Sequence, residues 1–413
     1  MGQSVDGQPY SLTLEEAEHQ FLSHSVDVAI GRATVTGAEA GVISARARPN
    51  PTLGFSSASI NPHQGVGAGH IGDKRADSIL SINQVFERGN KRELREIAAT
   101  ANLAAASGDF ADILRQQHIA VANAFYDLLA AQQRYDLAKV SAQFAQRSAR
   151  VAEMRLAAGD LARVDVARSR ADSARAATDS DQAQGDLEHA RIALALLLGK
   201  EAQAQVIRAQ GDWPPSIEVA RAPVSIEPIL ATRPDIAAAR ARVEVARSSR
   251  DLARAQKSRD ITIGVQAEHN PPTSHAPLYG FSVSVPLFIG NDFRGDITKA
   301  EADYTVALET LHKVEMNARA ELSTQKIDVE MLEQRARRFS QELLPEASRA
   351  ATAAEFAFAH GAMGVGDLLD ARRVLKAAEQ DAVAAQAGHA KALYAWRIER
   401  VAEVSATSPE NIQ

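Results

Sequence analysis

Two stretches of the chain, each more than sixty residues long, carry almost none of the residues that end a helix. Residues 296–360 hold no glycine and a single proline, Pro345, whereas residues 91–158 hold no proline and a single glycine, Gly108. A continuous helix of 65 residues would be roughly 98 Å long at 1.5 Å per residue. Ordinary globular domains do not contain such helices. The chain is therefore predicted to be mainly α-helical.

The stretch 91–158 carries larger apolar residues at coiled-coil spacing. They fall three, four, seven and three residues apart, as in an a/d seam, and are Leu137, Val140, Phe144, Val151 and Met154. Alanines surround them and would allow close approach of a second helix. This spacing predicts helix–helix packing, and by itself it is also typical of an ordinary coiled coil.

The chain contains two copies of one pattern. LTLEEA at 12–17 and VSIEPI at 224–229 each open an Ala- and Arg-rich helix, followed by two short strands, a very long helix, a glycine turn and a last helix. The predicted divisions are an N-terminal extension 1–11, a first repeat 12–211, a linker 212–223, a second repeat 224–405 and a C-terminal tail 406–413. Strands are predicted at about 52–60 and 78–86, and at about 261–268 and 279–287, before long helices at about 91–158 and 296–360.

The predicted strands alternate apolar and polar residues with period two. In the last strand Tyr279, Phe281 and Val283 alternate with Gly280 and Ser282, which gives the strand one apolar face. Four short strands cannot close a barrel of useful width, and an open sheet would leave unpaired edges. Three chains would supply twelve strands, which can close with the apolar face toward lipid. A small hairpin packed on a helix remains the alternative from this pattern.

Composition excludes several classes of protein. The 413-residue chain has a net charge of −6, which argues against a nucleic-acid binder, and it has no cysteine. Disulfides and cysteine-ligated metal sites are therefore excluded. No apolar run reaches the length of a transmembrane helix. The start, MGQSVDGQPY, has no signal-peptide pattern, so we expect a processed chain.

Several of these features resemble the TolC family, the outer-membrane efflux channels of Gram-negative bacteria. The resemblance covers about residues 10–405 and is carried by the repeat order and four motifs: LTLEEA at 12–17, QVFERG at 84–89, PLFIG at 286–290 and a G-x-x-x-x-x-D sequence at both turns. It implies a homotrimer with a twelve-stranded β-barrel in outer-membrane lipid, continued by an α-helical tunnel in the periplasm. Many members carry an acylated N-terminal cysteine. This chain has no cysteine, so we expect a lipid anchor to be absent or removed.

The resemblance also implies partners and cargo. The partners would be a periplasmic adaptor and an inner-membrane RND-type pump, which supplies the energy, so the channel would be a passive conduit with no enzyme activity, cofactor or metal site. Overall similarity is closest to the cobalt–zinc–cadmium and copper–silver branch, which implies export of heavy-metal cations. A multidrug or protein-export factor of the same family is the alternative.

The family places its periplasmic constriction at acidic residues near the turns. By position, the resemblance implies gate and selectivity roles for Asp367, Asp370 and Asp165, with Arg163, Arg372 and Arg373 as candidate ion-pair partners. Three chains would then present a ring of carboxylates that favours cations. The alternative for Asp367 is a helix cap, because aspartate is favoured in first turns.

The turns themselves are candidate docking sites. Gly159, Gly361 and Gly364 would let the backbone of an adaptor hairpin approach closely. Two other classes of function remain open: a periplasmic coiled-coil adaptor or structural protein, and an enzyme on a helical scaffold. The symmetric duplication argues against the adaptor, and no cluster of titratable residues outside the turns supports the enzyme.

Overall fold

A computed structural model describes residues 10–58, 63, 70, 76–215, 225–270 and 276–407. The α-helices are α1 Leu14–His24, α2 Val26–Arg46, α3 Lys91–Ala157, α4 Arg163–Leu197, α5 Glu227–Thr232, α6 Pro234–Ala255, α7 Arg294–Arg338, α8 Leu344–Ala359 and α9 Val365–Thr407. The strands are β1 Tyr10–Leu12, β2 Thr52–Ala58, β3 Asp77–Phe86, β4 Ile207–Ala209, β5 Ile261–His269 and β6 Leu278–Ser284. This order confirms a mainly α fold with a small sheet and a duplicated arrangement of elements. No helix within these ranges is both long enough and apolar enough to cross a membrane.

The chain divides into two compact units, and each takes residues from both repeats. The first comprises Met1–Gly31, Phe110–Arg233 and Glu315–Gln413, and the second comprises Arg32–Asp109 and Pro234–Val314. The helices α3 and α7 contribute residues to both units. Neither sequence repeat therefore forms a compact unit by itself.

The second unit contains a four-stranded antiparallel sheet in the order β2–β3–β5–β6. Its register places apolar residues opposite one another across all four strands, in the rows Phe55–Leu80–Ala267–Tyr279 and Leu53–Ile82–Val265–Phe281. The larger apolar side chains in these rows are between 49% and 81% exposed. The intervening row, Gly54–Ser81–Gln266–Gly280, lies on the other face. The sheet thus has one exposed apolar face, as the alternation predicted.

Strand β6 is shorter than predicted. It ends at Ser284, and Val285, Pro286 and Leu287 lie outside the sheet. Proline cannot donate a ladder hydrogen bond and restricts the residue before it, which accounts for the early end. Strand β2 is described only to Ala58, and positions 59 and 60 of the predicted strand lie outside the described residues.

The first unit has an apolar core around α1, β1 and β4. Thr13 caps α1 and forms a capping box with Glu16, and Phe21, Leu128 and Leu194 are fully buried. The predicted N-terminal extension ends in a strand, since Tyr10 and Ser11 pair in β1 with β4. The start of the predicted linker also belongs to this core: the Trp213 ring stacks on Tyr126 at 6.1 Å. Residues 216–224 lie outside the described part.

The buried seam of α3 differs from the predicted one. Val140, Val151 and Met154 are 60%, 39% and 65% exposed. The buried positions are instead alanines seven residues apart: Ala131, Ala138, Ala145 and Ala152. A short side chain lets neighbouring helix backbones approach closely, so alanine occupies the contact line and the larger residues lie beside it.

The predicted long helix of the second repeat contains a five-residue π-helical turn, Phe339–Leu343, between α7 and α8. Pro345 in the first turn of α8 has no backbone N–H. The N–H of Leu344 reaches back to the carbonyl of Phe339, five residues earlier. The helix therefore continues through the proline, and the turn before it contains one more residue than an α-helical turn.

Candidate functional site at the helix–turn–helix tips

Two turns in the first unit end long helices in the same way. After α3, the Gly159 N–H bonds the Leu156 carbonyl and the Asp160 N–H bonds the Arg155 carbonyl. After α8, Gly361 and Ala362 make the equivalent bonds to Phe358 and Ala357. This is the Schellman pattern, in which the residue after the helix adopts a left-handed conformation. Gly159 and Gly361 have φ of +83° and +74°, and a Cβ at either would meet no atom within 4 Å.

Each tip is closed by an equivalent ion pair. In the first hairpin Arg170 Nε lies 2.7 Å from Glu153 Oε1, and in the second Arg372 pairs with Glu355. In both hairpins the glutamate precedes the turn glycine by six residues and the arginine follows it by eleven. The pair therefore ties the helix that enters the turn to the helix that leaves it. This pair is not among the site residues predicted from the sequence, although alignment of the two repeats on their turn glycines reveals its spacing.

The predicted acidic residues lie just beyond these turns, six or nine residues after the glycine. Asp367 is exposed in the first turn of α9, and in the described part of the chain no hydrogen bond or ion pair reaches its carboxylate. Asp370 is also exposed and accepts a 3.1 Å hydrogen bond from Arg373. Buried Leu368 and Leu369 lie between them and anchor this turn of α9, which leaves both aspartates on the solvent side.

The charged residues after the first turn differ from those after the second. Asp165 occupies the position equivalent to Asp367, but the position equivalent to Asp370 is Arg168. Arg168 Nη1 lies 3.6 Å from Asp165 Oδ1. The two tips therefore share a backbone and differ in charge at these two positions: the first has Asp165 beside Arg168, and the second has two acids, of which Asp370 pairs with Arg373.

The three predicted arginines have separate surroundings. Arg163 is exposed as the first residue of α4, and none of the described residues forms an ion pair with it. The Arg372 guanidinium lies 3.7 Å from the centre of the Phe144 ring of α3, besides its pair with Glu355. Arg373 bonds Asp370 and lies 3.8 Å from Asp172 of α4. Of these three arginines, Arg373 alone contacts a predicted gate carboxylate among the residues that the structure describes.

The two tips lie side by side. The Arg155 guanidinium, at the end of α3, lies 5.3 Å from the centre of the Phe358 ring at the end of α8. Behind the tips Lys376 pairs with Asp179, and a cavity of about 800 Å³ between α3, α4 and α9 is lined by residues of these helices. The Arg155–Phe358 contact carries no pattern in the sequence. It depends on the packing of two segments that are two hundred residues apart.

No group of three or more His, Cys, Asp or Glu side chains that could hold a metal occurs among the described residues. The site therefore consists of two matched turns, exposed carboxylates and ion pairs that fix the hairpins. Such a site can bind cations weakly or contact another protein.

Two helical hairpins with matched tips and a four-stranded sheet with one exposed apolar face are the parts of an outer-membrane efflux channel. The sequence profile of the family described as "Outer membrane efflux protein" matches residues 18–200 and 226–395. The chain belongs to this family of outer-membrane proteins, and its function is that of the outer-membrane component of an efflux system. This assignment confirms the predicted resemblance and favours the channel over the periplasmic adaptor.

Individual relatives are similar over most of the chain. The chain is 27% identical to the cobalt-zinc-cadmium resistance protein CzcC of Cupriavidus metallidurans, over 88% of this chain and 84% of that protein. It is 26% identical to the pyoverdine export outer membrane protein OpmQ of Pseudomonas aeruginosa, over 90% and 81%. The crystal structure of the outer membrane protein VceC of Vibrio cholerae matches with a TM-score of 0.77 and 23% identity, over 94% of this chain and 95% of that one.

Proposed function

We propose that three copies of this chain form the outer-membrane channel of a tripartite efflux system. The observation that carries the proposal is the exposed apolar face of the sheet, which runs in register across all four strands. In water, a contiguous apolar surface of this kind is unfavourable. Against the hydrocarbon of an outer membrane it is stable, and the polar face that carries Ser81 and Gln266 would then face a wet lumen.

The edges of the sheet support the trimer. Within the described residues β2 pairs only with β3, and β6 pairs only with β5, so one edge of each strand has free backbone donors and acceptors. Hydrocarbon cannot satisfy such groups, and closure into a barrel can. Three copies supply twelve strands, which close when β6 of one copy pairs with β2 of the next.

Heavy-metal cations are the substrates that we favour. The similarity to a cobalt-zinc-cadmium resistance protein supports this choice, and so do the two exposed acids after the second turn. Similarity of the same level to a pyoverdine export protein makes a small organic substrate the second candidate. The conduit needs no catalytic residue, because an inner-membrane pump would supply the energy.

The gate of this channel would be the second tip. In a trimer Asp367 and Asp370 contribute six carboxylates around one axis, which attract cations and exclude anions. The absence of any hydrogen bond to Asp367 among the described residues favours this role over that of a side-chain cap. Asp165, paired with Arg168, would contribute less charge. Arg163, Arg372 and Arg373 would steady the closed state, with Arg163 pairing between copies.

The adaptor would dock at the tips around Gly159, Gly361 and Gly364. Space beside Gly159 and Gly361 is open, and the Arg155–Phe358 contact presents both tips together. A single surface of two small-residue turns suits the turn of a partner hairpin.

Three measurements test the proposed function. Native mass spectrometry of the detergent-solubilised protein is expected to show a trimer, and the protein is expected in the outer-membrane fraction. Deleting the gene is expected to lower resistance to individual metal cations, and reintroduction should restore it. A stable monomer with an intact sheet would refute the barrel, whereas unchanged metal tolerance with lost siderophore export would select the second substrate.

A further inference from the structure

The junctions between sheet and helices in the second unit have an unusual distribution of charge. Four short segments join strands to helices: 47–51 before β2, 87–90 after β3, 256–260 before β5 and 285–293 after β6. They lie together at one end of the strands, because the register pairs Thr52 with Asn83 and Phe86 with Ile261. Direct contacts also hold them there: Gln84 Nε2 of β3 donates to the Pro49 carbonyl at 2.8 Å, and the Arg88 N–H donates to Asp260 at 3.0 Å, which joins two of the segments.

Every acid in these segments is neutralised by a cation of a neighbouring helix. Glu87 is held by both terminal nitrogens of the Arg95 guanidinium. Asp260 accepts a 2.8 Å bond from the buried Lys91 ammonium. Asp292 lies 2.6 Å from Arg294.

In contrast, none of the cations in these segments pairs with an acid of the described residues. Arg48, Arg88, Lys257 and Arg259 are all exposed, and none forms an ion pair with any residue in the described part of the chain. The chain as a whole carries a net charge of −6. Four unpaired cations at one end of the strands therefore form a local positive patch. We call these four residues the collar.

The collar adjoins apolar and aromatic groups. Leu287 and Ile289, just after β6, are 70% and 88% exposed. Phe288 and Phe293 pack edge to face with ring centres 4.9 Å apart, and the Arg259 guanidinium lies 5.6 Å from the centre of the Phe288 ring. Aromatic rings beside basic side chains, next to a lipid-facing apolar surface, are typical of the boundary between hydrocarbon and head groups.

We propose that the collar of Arg48, Arg88, Lys257 and Arg259 binds the phosphate groups of anionic phospholipids in the leaflet on the helix side of the sheet. The proposal rests on the proposed function, because it requires the apolar face to lie in lipid. Basic side chains at a membrane surface attract anionic head groups, and their aliphatic stems can lie along the hydrocarbon. The bound lipid would fix the depth at which the sheet sits in the membrane.

The test uses the full-length protein in neutral detergent, titrated with phosphatidylglycerol or phosphatidylcholine of the same acyl chains and followed by native mass spectrometry. The wild-type protein is expected to prefer phosphatidylglycerol, and the R48Q/R88Q/K257Q/R259Q variant is expected to lose about tenfold or more of that affinity. A matched variant, K139Q/R150Q/K313Q/R337Q, removes four exposed cations elsewhere and should bind as the wild type does. Sodium phosphate should displace no more lipid than sodium chloride at equal ionic strength.

Several outcomes would overturn the collar. They are an equal affinity of the wild-type protein for both lipids, unchanged binding by the collar variant, and specific displacement by inorganic phosphate. A collar variant that loses oligomers but keeps its lipid would assign the cations to a contact between copies. Recovery of the wild-type protein in the outer-membrane fraction is scored first. If it fails there, the proposed function fails; if it succeeds and no lipid preference is found, only the collar fails.

Discussion

At the scale of single residues, the two tips keep the same turn residues and differ in charge at one position. Both retain the turn glycine, the closing Glu–Arg pair and an aspartate six residues after the glycine. They differ three residues further on, where one has Arg168 and the other Asp370. The difference pairs Asp165 with Arg168, whereas after the second turn Asp370 pairs with Arg373 and Asp367 has no partner among the described residues, so the second tip keeps the unpaired carboxylate.

The gate is tested by replacing Asp367 and Asp370 with asparagine. The double variant is expected to show reduced cation selectivity in single-channel recordings and to lose block by multivalent cations, because the ring of carboxylates is removed. Folding should change little, because an exposed ion pair such as Asp370–Arg373 contributes only about 0–1 kcal/mol. Glu346→Gln removes an exposed acid of α8 that pairs with Arg349 and serves as the control. Unchanged selectivity and block in the double variant would leave both aspartates with a structural role alone.

A second residue-scale feature is a buried ionic cluster far from the tips in sequence. Glu399 of α9 is 1% exposed and pairs with Arg115 of α3 and Arg233, which follows α5. Arg233 also bonds Glu321 of α7 at 2.8 Å. Burial raises the pKa of Glu399, and the attraction of Arg115 and Arg233 only partly opposes it.

This raised pKa predicts a pH dependence of stability. The folded protein holds the Glu399 proton more tightly than the unfolded chain does. The contribution of Glu399 is thus fully present below its ordinary pKa of 4.5 and is lost as the pH rises through the higher folded value. Glu399→Gln is expected to flatten the fall of the apparent Tm with pH above about 4.5, measured by thermal unfolding in detergent. Glu346→Gln should keep the wild-type slope, and equal slopes for all three proteins would contradict the assignment.

At the scale of elements, the tips are determined by the left-handed residue that ends a helix. Gly159, Gly199 and Gly361 all end helices with positive φ, but only the two tip glycines face open space; a Cβ at Gly199 would lie 3.0 Å from the His24 carbonyl oxygen. Gly361 is thus required by the backbone whether or not a partner docks there. Gly364 has no such constraint, which makes it the cleaner probe of docking.

These two roles can be separated by mutation. Gly361→Ala is expected to destabilise the tip by about 1–2 kcal/mol because alanine disfavours the left-handed region, and Gly361→Asn by less because asparagine tolerates it. Gly364→Trp should keep the trimer and its thermal stability and abolish resistance by blocking the adaptor. A Cβ at Gly364 would lie 3.7 Å from the Asp367 carboxylate, whereas a Cβ at Gly185 on α4 would meet no atom within 4 Å, and Gly185→Trp is the control. Full resistance in cells that carry Gly364→Trp would argue against docking at the tips.

At the scale of the whole molecule, the environment of each sheet face follows from the cross-strand register. Phe281 and Ser282 are neighbours on β6, both are exposed, and they belong to opposite faces. A charge on the lipid face of a membrane barrel costs about 2–4 kcal/mol near the bilayer midplane, whereas the lumen face tolerates it.

Phe281→Arg is therefore expected to lower the yield of trimer in the outer-membrane fraction strongly. Ser282→Arg, one residue away, should assemble as the wild type does and change conductance. Yields are measured by fractionation and immunoblotting, and conductance by planar-bilayer recording. Equal assembly of the two variants would show that the apolar face does not contact lipid.

The secondary-structure elements and their order can be predicted from the amino-acid sequence alone. Glycine- and proline-free stretches predict the long helices, period-two alternation predicts the strands of the sheet, and the repeat predicts matched tips with Asp165 and Asp367 in equivalent positions. These are local or periodic properties, and backbone sterics together with the burial of one face decide them. Alternation predicts the face of the sheet on which a residue lies. It does not predict which residue of the neighbouring strand pairs with it.

Contacts between distant segments were decided only by the tertiary structure. Between residues 131 and 152, alanine and not the larger apolar residues occupies the seam of α3, because the distance between helices is set by packing on both sides. Trp213 belongs to a core although its neighbours predict a linker, and Arg155 meets Phe358 although no spacing relates them. Ion pairs follow the same rule: which arginine neutralises which acid depends on the approach of helices from different parts of the chain, and a periodic pattern along one segment carries no information about that approach.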